Sequence, residues 1–162
     1  MQSIKLLEKK ETEKVLFVDD EPDLLEQAKL FLEKENEALS VRTMTSAEEA
    51  LALLEEVTFD AVVSDYQMPG LNGIQFLRRF RERNEDTPFI IFTGKGREEV
   101  AMDALNLGAD RYLQKGGDPK SQYGVLAQAI VQEIEHKESR KYLEKSEEEK
   151  NAIFESMSEH IV

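Results

Sequence analysis

Cysteine is absent from the 162 residues, which excludes disulfide frameworks, thiolate zinc sites and thiol nucleophiles and fits a reducing cytoplasm. Histidine is scarce. His136 and His160 both lie late in the chain, so His-rich metal centres and His-based triads find no support. No apolar run approaches the roughly 20 residues that a bilayer span needs, and no membrane segment is expected. The opening stretch from Met1 to Glu8 has neither a signal-peptide apolar region nor a small-residue cleavage site. Two phosphate-binding signatures are missing: no G-x-G-x-x-G follows the first apolar run, and Thr93-Gly94-Lys95-Gly96 falls short of G-x-x-x-x-G-K-[ST]. Positive charge is in short supply as well. Lys plus Arg is 21 against 34 Asp plus Glu, a net charge of −13. Such a surface repels phosphate backbones, so no nucleic-acid partner is expected.

What remains is a soluble globular composition, 40% hydrophobic and 34% charged, long enough to bury a real core. Residues 1–13 are a Lys/Glu-rich leader with one short apolar cluster at Ile4, Leu6 and Leu7. Apolar runs of strand length then alternate with helix-period segments. Val15–Val18 ends in Asp19-Asp20, and the helical spacing of Leu24, Leu25, Ala28, Phe31 and Leu32 follows, with Pro22 at a first helical position. Ser40–Met44 is a strand candidate. Ser46 and Glu49 form a capping box for a helix through Ala47, Ala50, Leu51 and Leu54. Asp60–Ser64 ends at Asp65, Pro69-Gly70 marks a turn, and Ile74, Leu77 and Phe80 define the next helix. Pro88–Phe92 ends at Thr93. Val100, Ala101, Ala104 and Leu105 make a helix stopped by Gly108. Arg111–Leu113 is a fifth short strand before Lys115-Gly116-Gly117, and Asp118 caps a last helix with Pro119 at its start. Runs apolar throughout suit strands buried on both faces. Five strand–helix pairs with short loops therefore predict an α/β, doubly wound, five-stranded parallel sheet. Its commonest order is 2-1-3-4-5, with the ligand crevice at the carboxyl ends of strands 1 and 3. The apolar stripe of Leu126, Ile130 and Ile134 docks the last helix. Beyond His136 the segment is Glu/Lys-rich and helix-prone, and it reads as a solvated C-terminal extension.

On that order, the strand ends deliver Asp19 and Asp20, Asp65, Thr93 and Lys115 to one rim. Crowded carboxylates raise one another's pKa, and a hard divalent cation relieves them. Mg²⁺ takes one or two carboxylates, waters and phosphate oxygens in preference to a full protein cage. A lysine and a hydroxyl opposite the acids can hold phosphoryl oxygens, so the rim suits phosphoryl transfer. Each residue also has a plainer reading. Asp20 is a potential helix N-cap, Asp65 a turn aspartate, Thr93 a strand-end hydroxyl and Lys115 a solvated lysine. The joint placement at the ends of separate strands favours the site. His136, on a charged stretch with nothing resembling a nucleotide-binding segment after it, reads as a surface histidine. The Glu147–Glu149 run reads as a solvated face.

Val15–Glu21, then Ser64-Asp65-Tyr66-Gln67-Met68-Pro69-Gly70, then Thr93, then Tyr112 three residues before Lys115, resemble the receiver domain of two-component response regulators over about residues 14–135. The resemblance implies a flavodoxin-like fold. It implies a phosphoacceptor at Asp65 and Mg²⁺ held by Asp20, Asp65 and the Gln67 carbonyl, with Asp19 supporting the metal through water. It further implies phosphoryl contacts from Thr93 and Lys115, and Tyr112 as the aromatic that reorients on activation. A histidine kinase or phosphotransfer protein is the implied partner, and the domain is not itself expected to be an enzyme. In one place the sequence departs from the family: many members have a cis-linked proline after the lysine, where Gly116 stands here, and a cis bond without proline costs about 3–4 kcal/mol. The stretches Phe92–Glu99 and Tyr112–Pro119 are similar to archaeal receivers of methanogens that precede PAS and histidine kinase modules. Asn151–Val162 resembles the opening of a PAS domain cut short, with 136–150 as a helical linker. A homodimer through the fourth helix and fifth strand, or through the C-terminal helix, is a further expectation. The rival readings are an aspartyl-phosphate phosphatase, against which the short loops argue, and a phosphorylation-independent docking module, against which the intact acid–Thr–Lys set argues.

Overall fold

The structure, a computed structural model, describes residues 12–83, 86–94 and 98–159. Nearly all of the leader, Lys95-Gly96 of the discarded phosphate loop, His160 and the last two residues of the PAS-like stretch lie outside them. Ten elements alternate: β1 (Glu13–Val18), α1 (Pro22–Glu35), β2 (Leu39–Met44), α2 (Ala47–Glu56), β3 (Ala61–Ser64), α3 (Gly73–Arg83), β4 (Phe89–Thr93), α4 (Glu98–Asn106), β5 (Arg111–Gln114) and α5 (Pro119–Glu159). The five strands form one parallel sheet in the order β2-β1-β3-β4-β5, as the strand–helix alternation predicts.

The period-2 geometry of the central strands explains the two cores. Along β1, Val15 and Phe17 point into a layer closed by α1 and α5, with Leu25, Ala28, Leu32, Tyr123, Leu126 and Ile130. Leu16 and Val18 point the other way, into a layer closed by α2, α3 and α4, with Ala50, Phe76, Leu77, Phe80 and Ala104. Both faces are covered, so β1, β3 and β4 have no need of a polar side, and Val15–Val18, Ala61–Ser64 and Phe89–Thr93 are buried throughout. Crossovers run in opposite directions on the two sides of β1. That reversal opens a crevice between the carboxyl ends of β1 and β3.

Local signals set the helix ends. Ser46 Oγ accepts the Glu49 N–H at 3.1 Å, as the capping box predicts. Pro22 opens α1, but its N-cap is Glu21, with no side-chain cap bond. The plainer reading of Asp20 as the cap is thus overturned, and the Asp20 carboxylate is left for other work. Asp118 Oδ2 accepts the Ser121 N–H at 3.1 Å and caps α5. Gly108, at φ +103°, ends the turn after α4. Helix α5 runs unbroken for 41 residues, about 60 Å at 1.5 Å per residue. Its first half packs on the sheet. From Glu138 to Met157 every residue but Ser146 is exposed.

Candidate functional site

The five side chains expected at the rim come from four different strand ends. Parallel pairing sets their heights: the Asp65 N–H bonds the Val18 carbonyl at 2.9 Å, which places Asp65 beside Asp19, and the Lys115 N–H bonds the Thr93 carbonyl at 2.7 Å. Asp19, Asp20 and Asp65 each offer a carboxylate oxygen, and these oxygens lie within 4.8 Å of one another. Asp19 is fully buried, Asp65 nearly so, and Asp20 is the most open of the three. Lys115 Nζ sits 2.9 Å from Asp19 Oδ2 and 3.4 Å from Asp65 Oδ2. Asp20, Asp65, Gln67, Thr93, Gly94 and Lys115 line one open cleft of about 830 Å³. Asp19 lies beneath it. Tyr112 does not line the cleft; it sits on β5 opposite Ile91 and packs against the α3–α4 side of the core.

Burial pushes the Asp19 carboxyl above its ordinary range, against the pull of the Glu21 N–H and of Lys115. Burial would also drive the Lys115 ammonium down. Its contacts with Asp19 and Asp65 overcome that and hold it above the usual lysine value. The site therefore keeps its cation and strains under its anions. Among the described residues, three carboxylates cluster here and Lys115 contacts two of them, a surplus of negative charge on oxygen donors that fits a hard divalent cation. Asp19 is already committed, with Oδ1 accepting the Glu21 N–H at 3.0 Å and Oδ2 facing Lys115. Asp65 Oδ1 accepts the Tyr66 N–H at 2.8 Å. Asp20 and the open side of Asp65 are the oxygens best placed for a metal and for a phosphoryl group.

Residues 15–125 match the family described as the response regulator receiver domain. The chain belongs to that family. Over 106 residues it is 37% identical to the response regulator SaeR of Staphylococcus aureus strain USA300, an alignment covering 65% of this chain and 45% of SaeR. The chain thus spans about half the length of the curated relatives it matches. Two solved structures are similar in fold. A receiver domain protein from Clostridium thermocellum is 32% identical, with a TM-score of 0.69 over 78% of this chain and 97% of that one. A CheY-like receiver from Methanospirillum hungatei JF-1 is 27% identical, with a TM-score of 0.70 over 80% and 98%. The chain is a receiver domain of the kind found in two-component response regulators, with the acid cluster expected of a phosphoacceptor.

Two parts of the receiver's site escaped the sequence reading. Gly73 opens α3 against the site: a Cβ there would lie 2.4 Å from the Asp65 carbonyl oxygen and 3.0 Å from Tyr66 Cα, and its N–H bonds the Tyr66 carbonyl at 2.7 Å. The only signal was a glycine at the start of an apolar-periodic segment, where a close backbone approach is one standard reason for it. Glu48, on α2, accepts the Leu71 N–H at 2.8 Å and so ties down the loop after Asp65. A lone helix glutamate carries no sequence mark of such a role. The Lys115–Gly116 bond, where many family members have a cis-linked proline, is trans here, since the described chain contains no cis peptide. Gly117, at φ +79°, makes the turn that the next helix needs.

Proposed function

We propose that this receiver takes a phosphoryl group onto Asp65 from a partner's phosphohistidine and holds it as a timed signal. The observation that supports this reading best is the cluster of three carboxylates with Lys115 between Asp19 and Asp65. An Asp65 carboxylate oxygen attacks phosphorus in line. A P–O bond forms as the P–N bond breaks, and the electron pair leaves on the imidazole nitrogen. Asp20, Asp65 and the Gln67 carbonyl would hold Mg²⁺, with Asp19 acting through water. When bound, that ion supplies charge neutralisation for the phosphoryl oxygens. Lys115 gives its ammonium to one phosphoryl oxygen and Thr93 its hydroxyl to another, and Tyr112 reorients in response. Catalysis at such a centre is positioning and charge compensation, which this chain supplies for its own modification and later hydrolysis. We do not assign it turnover of a separate substrate.

Residues 14–135 act as the receiver, 136–150 as a helical linker and 151–162 as the start of a PAS-like unit, in a cytoplasmic protein of archaeal type. Its partners are a histidine kinase or phosphotransfer protein and a second copy of the chain, met through the C-terminal helix or the α4–β5 face. No nucleic-acid or membrane partner is proposed. Among the described residues no helix is long and apolar enough to span a bilayer. Intact-mass analysis after exposure to acetyl phosphate tests the central step. The wild type should gain one phosphoryl group only with Mg²⁺, and Asp65→Asn should gain none. Equal labelling of the Asn variant would move the acceptor elsewhere.

A further inference from the structure

The loop that carries Lys115 is anchored in a way that depends on the missing proline. On one side of Lys115 its own N–H bonds the Thr93 carbonyl at 2.7 Å. On the other side the Gly116 N–H donates to Gln122 Oε1 at 2.7 Å. The two bonds pin the backbone immediately before and after the Lys115 Cα. Proline has no N–H, so the second bond exists only because another residue stands at 116. Gln122 can make it because helical side chains lean back toward the helix N-terminus. Its own N–H bonds the Asp118 carbonyl at 3.1 Å in the first turn of α5, so its base is fixed. The lysine side chain is tied to the same turn. Its Nζ lies 5.9 Å from the Phe92 ring centre. The Phe92 ring is 6.1 Å from that of Tyr123, which stacks on Phe31 at 5.8 Å. Two consecutive residues of α5 therefore bracket Lys115, one through the main chain and one through an aromatic shelf.

We infer that Gln122 is a positioning residue for Lys115, holding it through the Gly116 N–H in the register from which its ammonium reaches Asp19, Asp65 and the incoming phosphoryl group. The inference rests on the reading of Lys115 as a phosphoryl-contacting residue. It assigns to a side chain of α5 the placement of that lysine, in a loop without the family's proline. Movement of Lys115 toward a phosphoryl oxygen then draws on the first turn of the helix that carries the C-terminal extension.

The test uses the full chain with acetyl phosphate and Mg²⁺, reading the initial rate of Asp65 phosphorylation by intact mass and Mg²⁺ affinity by titration. Gln122→Ala should slow phosphorylation about three- to tenfold, the worth of one ordinary hydrogen bond, with Mg²⁺ affinity unchanged. Gln122→Glu keeps an oxygen acceptor at the same reach and should restore the rate to within about twofold. In a Lys115→Ala background, Gln122→Ala should add nothing, because its effect passes through the lysine. A wild-type rate for Gln122→Ala overturns the inference, and so does an equal loss in both backgrounds. If Lys115→Ala alone phosphorylates at the wild-type rate, the role of Lys115 falls and the inference falls with it. That outcome is distinguishable because it is read without any change at Gln122.

Discussion

Lys115 Nζ lies 2.9 Å from Asp19 Oδ2, and Asp19 has no solvent exposure at all. The pair spans 96 positions of sequence and joins the ends of β1 and β5 across the carboxyl edge of the sheet. Burial has raised the Asp19 carboxyl, and the ammonium works against that rise. Lys115→Ala would leave the burial opposed only by the Glu21 N–H, and a carboxylate without its cation. The metal-free protein should lose about 1–3 kcal/mol at neutral pH. A folded-state carboxyl raised further above its unfolded value binds its proton more tightly when folded, so the deficit shrinks as pH falls toward that raised value. Urea unfolding at pH 7 and pH 5 checks both. An equal deficit at the two pH values would contradict the argument.

The acid cluster should cost stability when no cation is bound. Asp20→Asn removes one of three crowded negative charges, so the metal-free variant should unfold at a higher urea concentration than the wild type, by about 0.5–2 kcal/mol. The same change should weaken Mg²⁺ more than Asp19→Asn does, because Asp20 faces the cleft while both Asp19 oxygens are engaged within the protein. Metal titration of the two variants decides the order, and the reverse ranking would exchange their roles.

Gly73 is the steric counterpart of that electrostatic cost. With the Asp65 carbonyl 2.4 Å from where a Cβ would be, Gly73→Ala must displace backbone rather than a flexible side-chain tip. About 1–3 kcal/mol of destabilisation is expected, with slower phosphorylation at Asp65, because the displaced backbone is that of the proposed acceptor. Thermal unfolding alongside the phosphorylation rate checks the pair of effects. Wild-type behaviour in both would show that α3 can retreat without strain.

The sheet order and the five rim residues were legible because both rest on one-dimensional signals. Runs such as Val15–Val18 and Ala61–Ser64 each lead directly into an acid, and buried parallel strands place such ends side by side. Gly73 and Glu48 were not legible. A glycine whose Cβ would strike a carbonyl, and a helix glutamate that reaches a loop 23 positions away, depend on how α2 and α3 pack. Periodicity does not encode that. The helical extension was visible in composition, but the contact at its base was not. Glu133 of α5 pairs with Arg111 of β5 at 2.6 Å. A contact across 22 positions thus fixes where α5 leaves the sheet.

The outer edge of β2 is guarded by α1. Glu33 Oε2 accepts the Val41 N–H at 2.8 Å, and Lys29 Nζ donates to the Val41 carbonyl at 2.6 Å and to Glu33 at 2.9 Å. The two side chains satisfy backbone groups that an edge strand would otherwise present to another chain. Partial burial would raise the Glu33 carboxyl, but the Val41 N–H and Lys29 outweigh it and hold the group below its ordinary value. A depressed carboxyl gives stability that is present above the unfolded value and lost as pH falls through the folded one. Glu33→Ala should therefore cost about 1 kcal/mol at pH 7 and less at a pH well below the ordinary glutamate value. It should also raise the tendency to associate through β2. Unfolding curves at the two pH values check the first part and light scattering the second.

Beyond the sheet, α5 carries Tyr142, Leu143, Ile153, Phe154 and Met157 at 59–73% exposure on a single helix with nothing packed against it among the described residues. Most of a helix's stability in proteins comes from packing of an apolar face rather than from propensity, and an i,i+4 charge pair adds only a few tenths of a kcal/mol. The apolar residues point to what would hold the extension. Leu143 and Met157 are two heptads apart, and Ile153 falls at the intervening d-type position when Leu143 is taken as a. In a parallel pair, that frame sets Glu135 opposite Arg140 and Glu149 opposite Phe154 on the flanks, and it brings the two copies of Lys150 together at one core position. An antiparallel pair would place glutamates against each other. Ser146 and Lys150 at the remaining core positions keep the association weak. A second copy joined in parallel should thus protect residues 137–157 from hydrogen exchange in a concentration-dependent way, while a version ending at His136 stays monomeric with its receiver fold intact. If the segment exchanges at random-coil rates at every concentration, and truncation leaves association unchanged, the extension is a tail and the dimer must form elsewhere.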